Sequence, residues 1–153
     1  MKTSDSSIAK NREAFHDYHI LETVEAGLVL KGTEVKSLRS HHASLVGSFA
    51  RLENGELFVY NLHIAPYEHG SIFNPDPKRE RKLLLHRNQI RDLATKTQSK
   101  GLTLIPLKLY FKEGIVKMEL GLAKGKRQYD KREALKQRDH AREMRQALKR
   151  KRG

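Results

Sequence analysis

Between His16 and Leu30 the even positions read His16, Tyr18, Ile20, Glu22, Val24, Ala26, Leu28 and Leu30, and six of these eight are apolar. A period of two predicts a strand with one buried face, and Gly27 marks a bulge in it. Phe49 to Leu52 and Glu56 to Asn61 flank Asn54-Gly55, a dipeptide that accepts positive φ at both turn positions and so predicts a tight hairpin. A second hairpin is expected from Leu104–Phe111 and Ile115–Leu122 around Glu113-Gly114, with Leu107, Leu109 and Phe111 on one face. Two helices interrupt the strands. Val35 and Leu38, three apart, predict a short one over Thr33–Arg39. Ile90, Leu93, Ala94 and Thr97 predict a longer one over His86–Lys100, stopped by Gly101. Pro66, Pro75 and Pro77 mark Ala65–Lys78 as an irregular loop. Short strands joined by hairpins, with few helices, predict a mainly β fold: a small, closed or partly closed antiparallel barrel with peripheral helices.

The pattern changes near residue 123. Aromatic and β-branched residues fill the chain up to Leu122, whereas Tyr129 is the one aromatic beyond it. Residues 124–153 hold 13 Lys+Arg against 4 Asp+Glu, and residues 1–123 hold 18 against 14. The division expected is a core over 1–123 and a basic tail over 124–153. Ala134, Ala141, Met144 and Leu148 form a stripe too narrow to bury against the core, and Arg138, Arg142, Arg145 and Lys149 repel one another at helical spacing. Such a segment is expected to be disordered alone and helical on a phosphate-rich surface that supplies counter-charge.

Charge and composition then narrow the chemistry. The 153-residue chain has a formal net charge of +13, which points to a polyanionic partner. With no Cys, disulfides, thiolate metal sites and cysteine nucleophiles are excluded. The polar, Ser-rich opening lacks an apolar core segment, so neither secretion nor membrane spanning is expected, and a cytoplasmic protein is. Gly121 to Lys126 imitates a phosphate-binding loop but has three residues between its glycines and Arg127 after the lysine. His16-Asp17 and His41-His42 are the closest approaches to metal-ligand pairs. Neighbours on a strand point to opposite faces, so no metal site is expected. Glu22, Glu25 and Glu34 show no spacing that fixes an acid–base pair. The reading is a protein without catalytic activity, cofactor or small-molecule substrate. Basic clusters beside aromatics suit phosphate gripping and base stacking instead: Lys10 to Arg12 before Phe15 to Tyr18, Lys36 with Arg39, and Lys78 to Lys82.

Several blocks together resemble one family. Asn11-Arg12, Phe15-His16-Asp17-Tyr18, Glu25-Ala26-Gly27 and Gly32 to Arg39 are similar to the opening of the SsrA-binding protein (SmpB) family, the bacterial partner of tmRNA in trans-translation. Ile64 to Tyr67, Asp76 to Leu85, Gly101 to Tyr110 and Ala123 to Arg132 are similar to its later blocks, in the same order. The resemblance implies an OB-like barrel that binds the tRNA-like domain of tmRNA, and a tail that enters the small-subunit decoding centre and empty mRNA channel of a stalled ribosome. The alternative, from the basic composition, is a ribosomal or rRNA-binding structural protein with a barrel and a basic extension.

Carried onto this chain, the resemblance implies RNA contacts at Asn11, Arg12, His16, Glu25 and the Leu84 to His86 stretch. The basic and aromatic clusters add Tyr18, Lys36, Arg39 and Arg81. Glu25 is the unexpected member, since phosphate repels a carboxylate; it is suited to accepting hydrogen bonds from base donors such as the guanine Watson–Crick edge. Gly125, Lys126, Tyr129, Asp130, Lys131 and Arg132 correspond to the decoding-centre segment, with Gly125 allowing the chain to bend as it leaves the barrel. Arg138, Arg142, Arg145 and Lys149 are expected along the mRNA channel. One departure stands out: where the family usually has Gly-Lys after the short helix, this chain has His41-His42. His is less at ease in left-handed geometry than Gly, so a different turn is expected there.

Overall fold

The computed structural model describes residues 6–68 and 74–126. Nine strands and three helices follow in the order β1 (Ser6–Lys10), α1 (Arg12–Asp17), β2 (Tyr18–Leu28), α2 (Gly32–Arg39), β3 (Ala43–Ser44), β4 (Phe49–Glu53), β5 (Glu56–Tyr60), β6 (His63–Ile64), β7 (Arg81–Leu84), α3 (Arg87–Lys100), β8 (Thr103–Lys112) and β9 (Ile115–Gly125). The main sheet runs β1-β8-β4-β5-β7-β2-β9, and a further β8–β9 pairing joins its ends into a closed barrel of six strands with β1 attached to β8. Every ladder is antiparallel. The mainly β, OB-like architecture read from the sequence is therefore the one observed.

Alternation builds the interior. Leu57 and Val59 of β5, Leu109 of β8, and Met118 and Leu120 of β9 are fully buried, and Leu38 of α2 and Leu93 of α3 join the same cluster. Each such side chain contributes about 1.5–3 kcal/mol by leaving water. A smaller cluster lies on the outer wall, where Ala14 of α1 covers Ile105, Leu107 and Ala123.

Local signals placed the turns. Asn54 and Gly55 have φ of 52° and 77°, and Glu113 and Gly114 have 51° and 79°, the left-handed pairs that a two-residue hairpin needs. Gly101, with φ 62° and ψ 32°, ends α3. The turn after α2 keeps left-handed geometry without glycine: His41 has φ 59°, and its N–H and that of His42 donate to Leu38 O and Ser37 O.

Three expectations are corrected. The period-two stretch begins as helix, because Asn11 caps α1 by accepting the Ala14 N–H at 3.2 Å, and the strand starts at Tyr18. His16 and Asp17 are therefore not on opposite strand faces, and His16 Nδ1 lies 2.9 Å from Asp17 Oδ1. The β2 bulge falls between Ile20 and Glu22, while Gly27 stays in register opposite Lys117. A second register shift between Pro106 and Lys108 turns Leu107 to the outer cluster, away from Leu109 and Phe111. Ser6–Lys10, in the polar opening, and Arg81–Leu84, which begins within the basic cluster, had no element assigned and are strands.

Candidate nucleic-acid interface

The positions singled out in the sequence separate into four places. Glu25, Leu84 and His86 come together, with Gly27, Leu85, Gln89 and Lys117, around a surface cleft of about 490 Å³. Register explains the convergence. Gly27 of β2 pairs with Leu84 of β7 on one side and Lys117 of β9 on the other. The chain then runs from β7 into α3, so His86 sits at the helix cap, where its N–H donates to Gln89 Oε1 at 3.1 Å.

Glu25 is exposed, directly opposite Glu119 on β9. Two like charges across a ladder repel, and each is answered separately. Lys108 Nζ lies 3.8 Å from Glu119. Glu25 accepts a hydrogen bond from the Tyr110 hydroxyl, and Lys112 Nζ stands 3.4 Å from both its oxygens. The Tyr110 hydroxyl chiefly, with the Lys112 ammonium, holds the Glu25 carboxyl below its usual range against the opposing effect of burial. The cleft thus presents a fixed anion in a strongly cationic protein.

A second group lies at the other half of β2. Tyr18 is seven residues from Glu25, about 23 Å along the strand. Arg12 and His16 are exposed on α1, and Tyr18 pairs with Gly125, where the last strand ends. Lys126 Nζ donates to Phe15 O at 3.3 Å, drawing the start of the tail towards α1. Gly125 is thus a paired strand residue, and the ladder continues two residues past Ala123. Lys36 and Arg39 form a third place, exposed on α2, with Lys36 Nζ 5.4 Å from the centre of the Tyr67 ring.

The fourth place is interior, and it takes in two of the expected RNA contacts, Asn11 and Arg81. Asn11 is 5% exposed, and both polar atoms of its side chain are engaged: besides capping α1 through Oδ1, its Nδ2 donates to Pro106 O at 2.9 Å and Leu45 O at 3.4 Å, and its N–H donates to Leu107 O. Arg81 is 0% exposed. Alternation in β7 turns Arg81 and Leu83 inward and Lys82 and Leu84 outward. Arg81 Nε donates to Glu34 at 2.6 Å and Nη1 to Leu62 O at 2.6 Å. Both side chains are thus committed to the scaffold. Glu34, one of the carboxylates weighed for acid–base work, is equally enclosed as the counter-ion of Arg81 and Arg79.

Lys117 and Gln89 in the cleft, and Tyr110 and Lys112 beside Glu25, are the residues that sequence reasoning missed; for Lys117, Tyr110 and Lys112 the one available signal was the β8–β9 hairpin, which does not disclose its register against β2. Tyr129, Asp130, Lys131, Arg132, Arg138, Arg142, Arg145 and Lys149 lie outside the described residues. Among the described residues no group of three His, Cys, Asp or Glu is placed to hold a metal ion, and no helix is long and apolar enough to cross a membrane.

A closed antiparallel barrel with a carboxylate-bearing cleft and separate cationic flanks defines a small OB-like protein. The profile of the SmpB protein family matches residues 8–150. SsrA-binding proteins from Carboxydothermus hydrogenoformans and Enterococcus faecalis are 63% and 58% identical over 142 residues, covering 93% of this chain and 95% and 92% of theirs. A chain in a solved structure described as "tmRNA-SmpB: a journey to the center of the bacterial ribosome" superposes with a TM-score of 0.65 at 62% identity, covering 76% of this chain and 82% of that one. This chain belongs to the SmpB family.

Proposed function

We propose that this chain is a non-enzymatic, cytoplasmic RNA-binding adaptor that binds tmRNA and accompanies it to stalled ribosomes for trans-translation. The barrel takes the tRNA-like domain, with the Glu25 cleft as its base-reading contact and Arg12, His16, Lys36 and Arg39 as cations on its flanks. The basic tail enters the decoding centre through Gly125 to Arg132 and follows the empty mRNA channel with Arg138, Arg142, Arg145 and Lys149.

One observation carries the reading: Glu25 and the Leu84 to His86 stretch, far apart in the chain, line a single cleft. A scaffold carboxylate would be expected in a buried ion pair, as Glu34 is; Glu25 pairs with Lys112 at an exposed position, and its carboxyl, held below the usual range, stays open to solvent beside an exposed Leu84. The names of the relatives, SsrA-binding proteins, point to the same RNA.

Titration of a labelled tRNA-like domain of tmRNA tests the proposal. Glu25→Ala is expected to weaken binding about tenfold or more while changing stability by less than about 1 kcal/mol, as for a surface substitution. Unchanged affinity would remove the cleft from the interface.

A further inference from the structure

Away from the Glu25 cleft, a groove of about 190 Å³ opens where α1 meets the approach to β4. Glu13 and Asp17 of α1, Tyr18 at the start of β2, Ser48, Phe49 at the head of β4 and the buried Ile105 of β8 line it. Its charged lining is wholly acidic, in a chain of net charge +13. Glu13 pairs with no cation among the described residues. Asp17 Oδ1 lies 2.9 Å from the His16 ring, which leaves Oδ2 open.

The end of β9 delivers the tail to this place. Tyr18 pairs with Gly125, and a Cβ on Gly125 would lie 4.0 Å from Tyr18 Cε1, so a ring that lines the groove stands beside the residue from which the tail departs. Lys126 Nζ then donates to Phe15 O, on the helix that carries both acids, at 3.3 Å. Arg127 stands two positions past Gly125, within about 7 Å of it along the backbone, and its long side chain extends that reach over the groove.

A guanidinium is the chemistry that such a lining fits. It is planar and weakly hydrated, stacks on aromatic faces and pairs with carboxylates. The same surface shows the stacking once already, with the Arg51 Cζ 5.4 Å from the centres of both the Phe49 and the Tyr60 rings. Phosphate does not suit the groove, because Glu13 and Asp17 repel it. A cation tethered this closely also outcompetes free ones, at an effective concentration on the order of millimolar.

We infer that in the free protein this groove is the docking site for the root of the tail: the Arg127 guanidinium lies against the Tyr18 and Phe49 rings and pairs with Glu13 and Asp17. The tail then leaves the barrel along α1 until a phosphate-rich surface takes the cation.

One exposed cation adds too little to the fold to be read in melting, so the test is nuclear magnetic resonance on the full chain. The Arg127 Nε–Hε signal is expected upfield of the free-arginine position, with nuclear Overhauser effects to the Tyr18 and Phe49 ring protons. Glu13→Gln combined with Asp17→Asn should return that signal to the free-arginine position, and molar salt should do the same. Arg127→Gln should shift the amides of Gly47 and Ser48; this variant leaves the barrel untouched and reads the contact even if the acid pair proves structural. Unchanged amides of Leu109 and Met118 report a folded interior in each variant. An Arg127 signal at the free position, ring contacts from Lys131 or Arg132 in its place, or a displaced signal indifferent to the loss of both acids would overturn the inference. So would contacts that vanish on dilution, which would mean that the tail of a second copy fills the groove.

Discussion

Glu34 takes four hydrogen bonds into a carboxylate that is 2% exposed: one from the Lys31 N–H at 2.9 Å, two from Arg79 and one from Arg81. Its worth lies in what its loss would strand, since Arg81 would keep a buried charge with no counter-ion. Glu34→Gln is expected to destabilise the fold by about 3–5 kcal/mol, read as a lowered urea midpoint. Burial pushes the Glu34 carboxyl up, but the Arg79, Lys31 and Arg81 donors outweigh it, so the folded pKa lies below the ordinary value of 4.5. The unfolded chain then binds the proton more tightly than the folded one. The stabilisation is fully present above about pH 4.5 and is lost as pH falls through the lower folded value, so denaturation curves between pH 7 and 3 should weaken below about 4.5 in wild type. In Glu34→Gln that acid component should be absent. His41 is a second residue-scale case. A β-carbon in left-handed geometry is strained, and His41→Gly is expected to stabilise by about 1 kcal/mol, seen as a higher Tm.

Where α1 meets the barrel, element geometry depends on a missing side chain. A Cβ on Gly121 would lie 2.9 Å from Leu107 Cδ1 and 3.2 Å from both Leu107 Cγ and Ile20 Cγ2. Leu107 is fully buried, so the side chain would have to shift within a packed cluster, and Gly121→Ala is expected to cost about 1–3 kcal/mol in chemical denaturation. No property of Gly121 in the sequence announces this, and the contrast with the turns is instructive. Asn54-Gly55, Glu113-Gly114 and Gly101 were legible because positive φ is a demand that a residue and its neighbours make by themselves. The strand β1 was not, because Ile8 is its one buried apolar side chain and its partner, β8, lies about a hundred residues away. The strand β7 was hidden for a related reason: Arg81 reads as surface until Glu34, 47 positions earlier, is seen beside it. The site divides the same way. Glu25, Leu84 and His86 were reached through family pattern, whereas Tyr110 and Lys117 required the register of β9 against β2.

At the scale of the molecule, the barrel and the tail are joined by a ladder that outlasts the apolar pattern. Because Gly125 still pairs with Tyr18 and Lys126 still reaches Phe15 O, the cut that spares the barrel falls after Lys126 and not after Ala123. A chain ending there loses seven of its thirteen net positive charges yet keeps Arg12, Lys36, Arg39 and the whole cleft. If the barrel alone grips the tRNA-like domain through ~6 phosphates, log K should fall with log salt at a slope near −4 in both the full and shortened chains, taking about −0.7 per phosphate. A slope that flattens on truncation would assign those phosphate contacts to the tail. The two proposed roles should separate in the same pair of proteins: the shortened chain is expected to melt with the full one and to bind the tRNA-like domain equally, but to fail in tagging nascent chains on stalled ribosomes. Its success in tagging would mean that an extended cation is not needed in the mRNA channel, and that the barrel with its RNA suffices to occupy an empty decoding site.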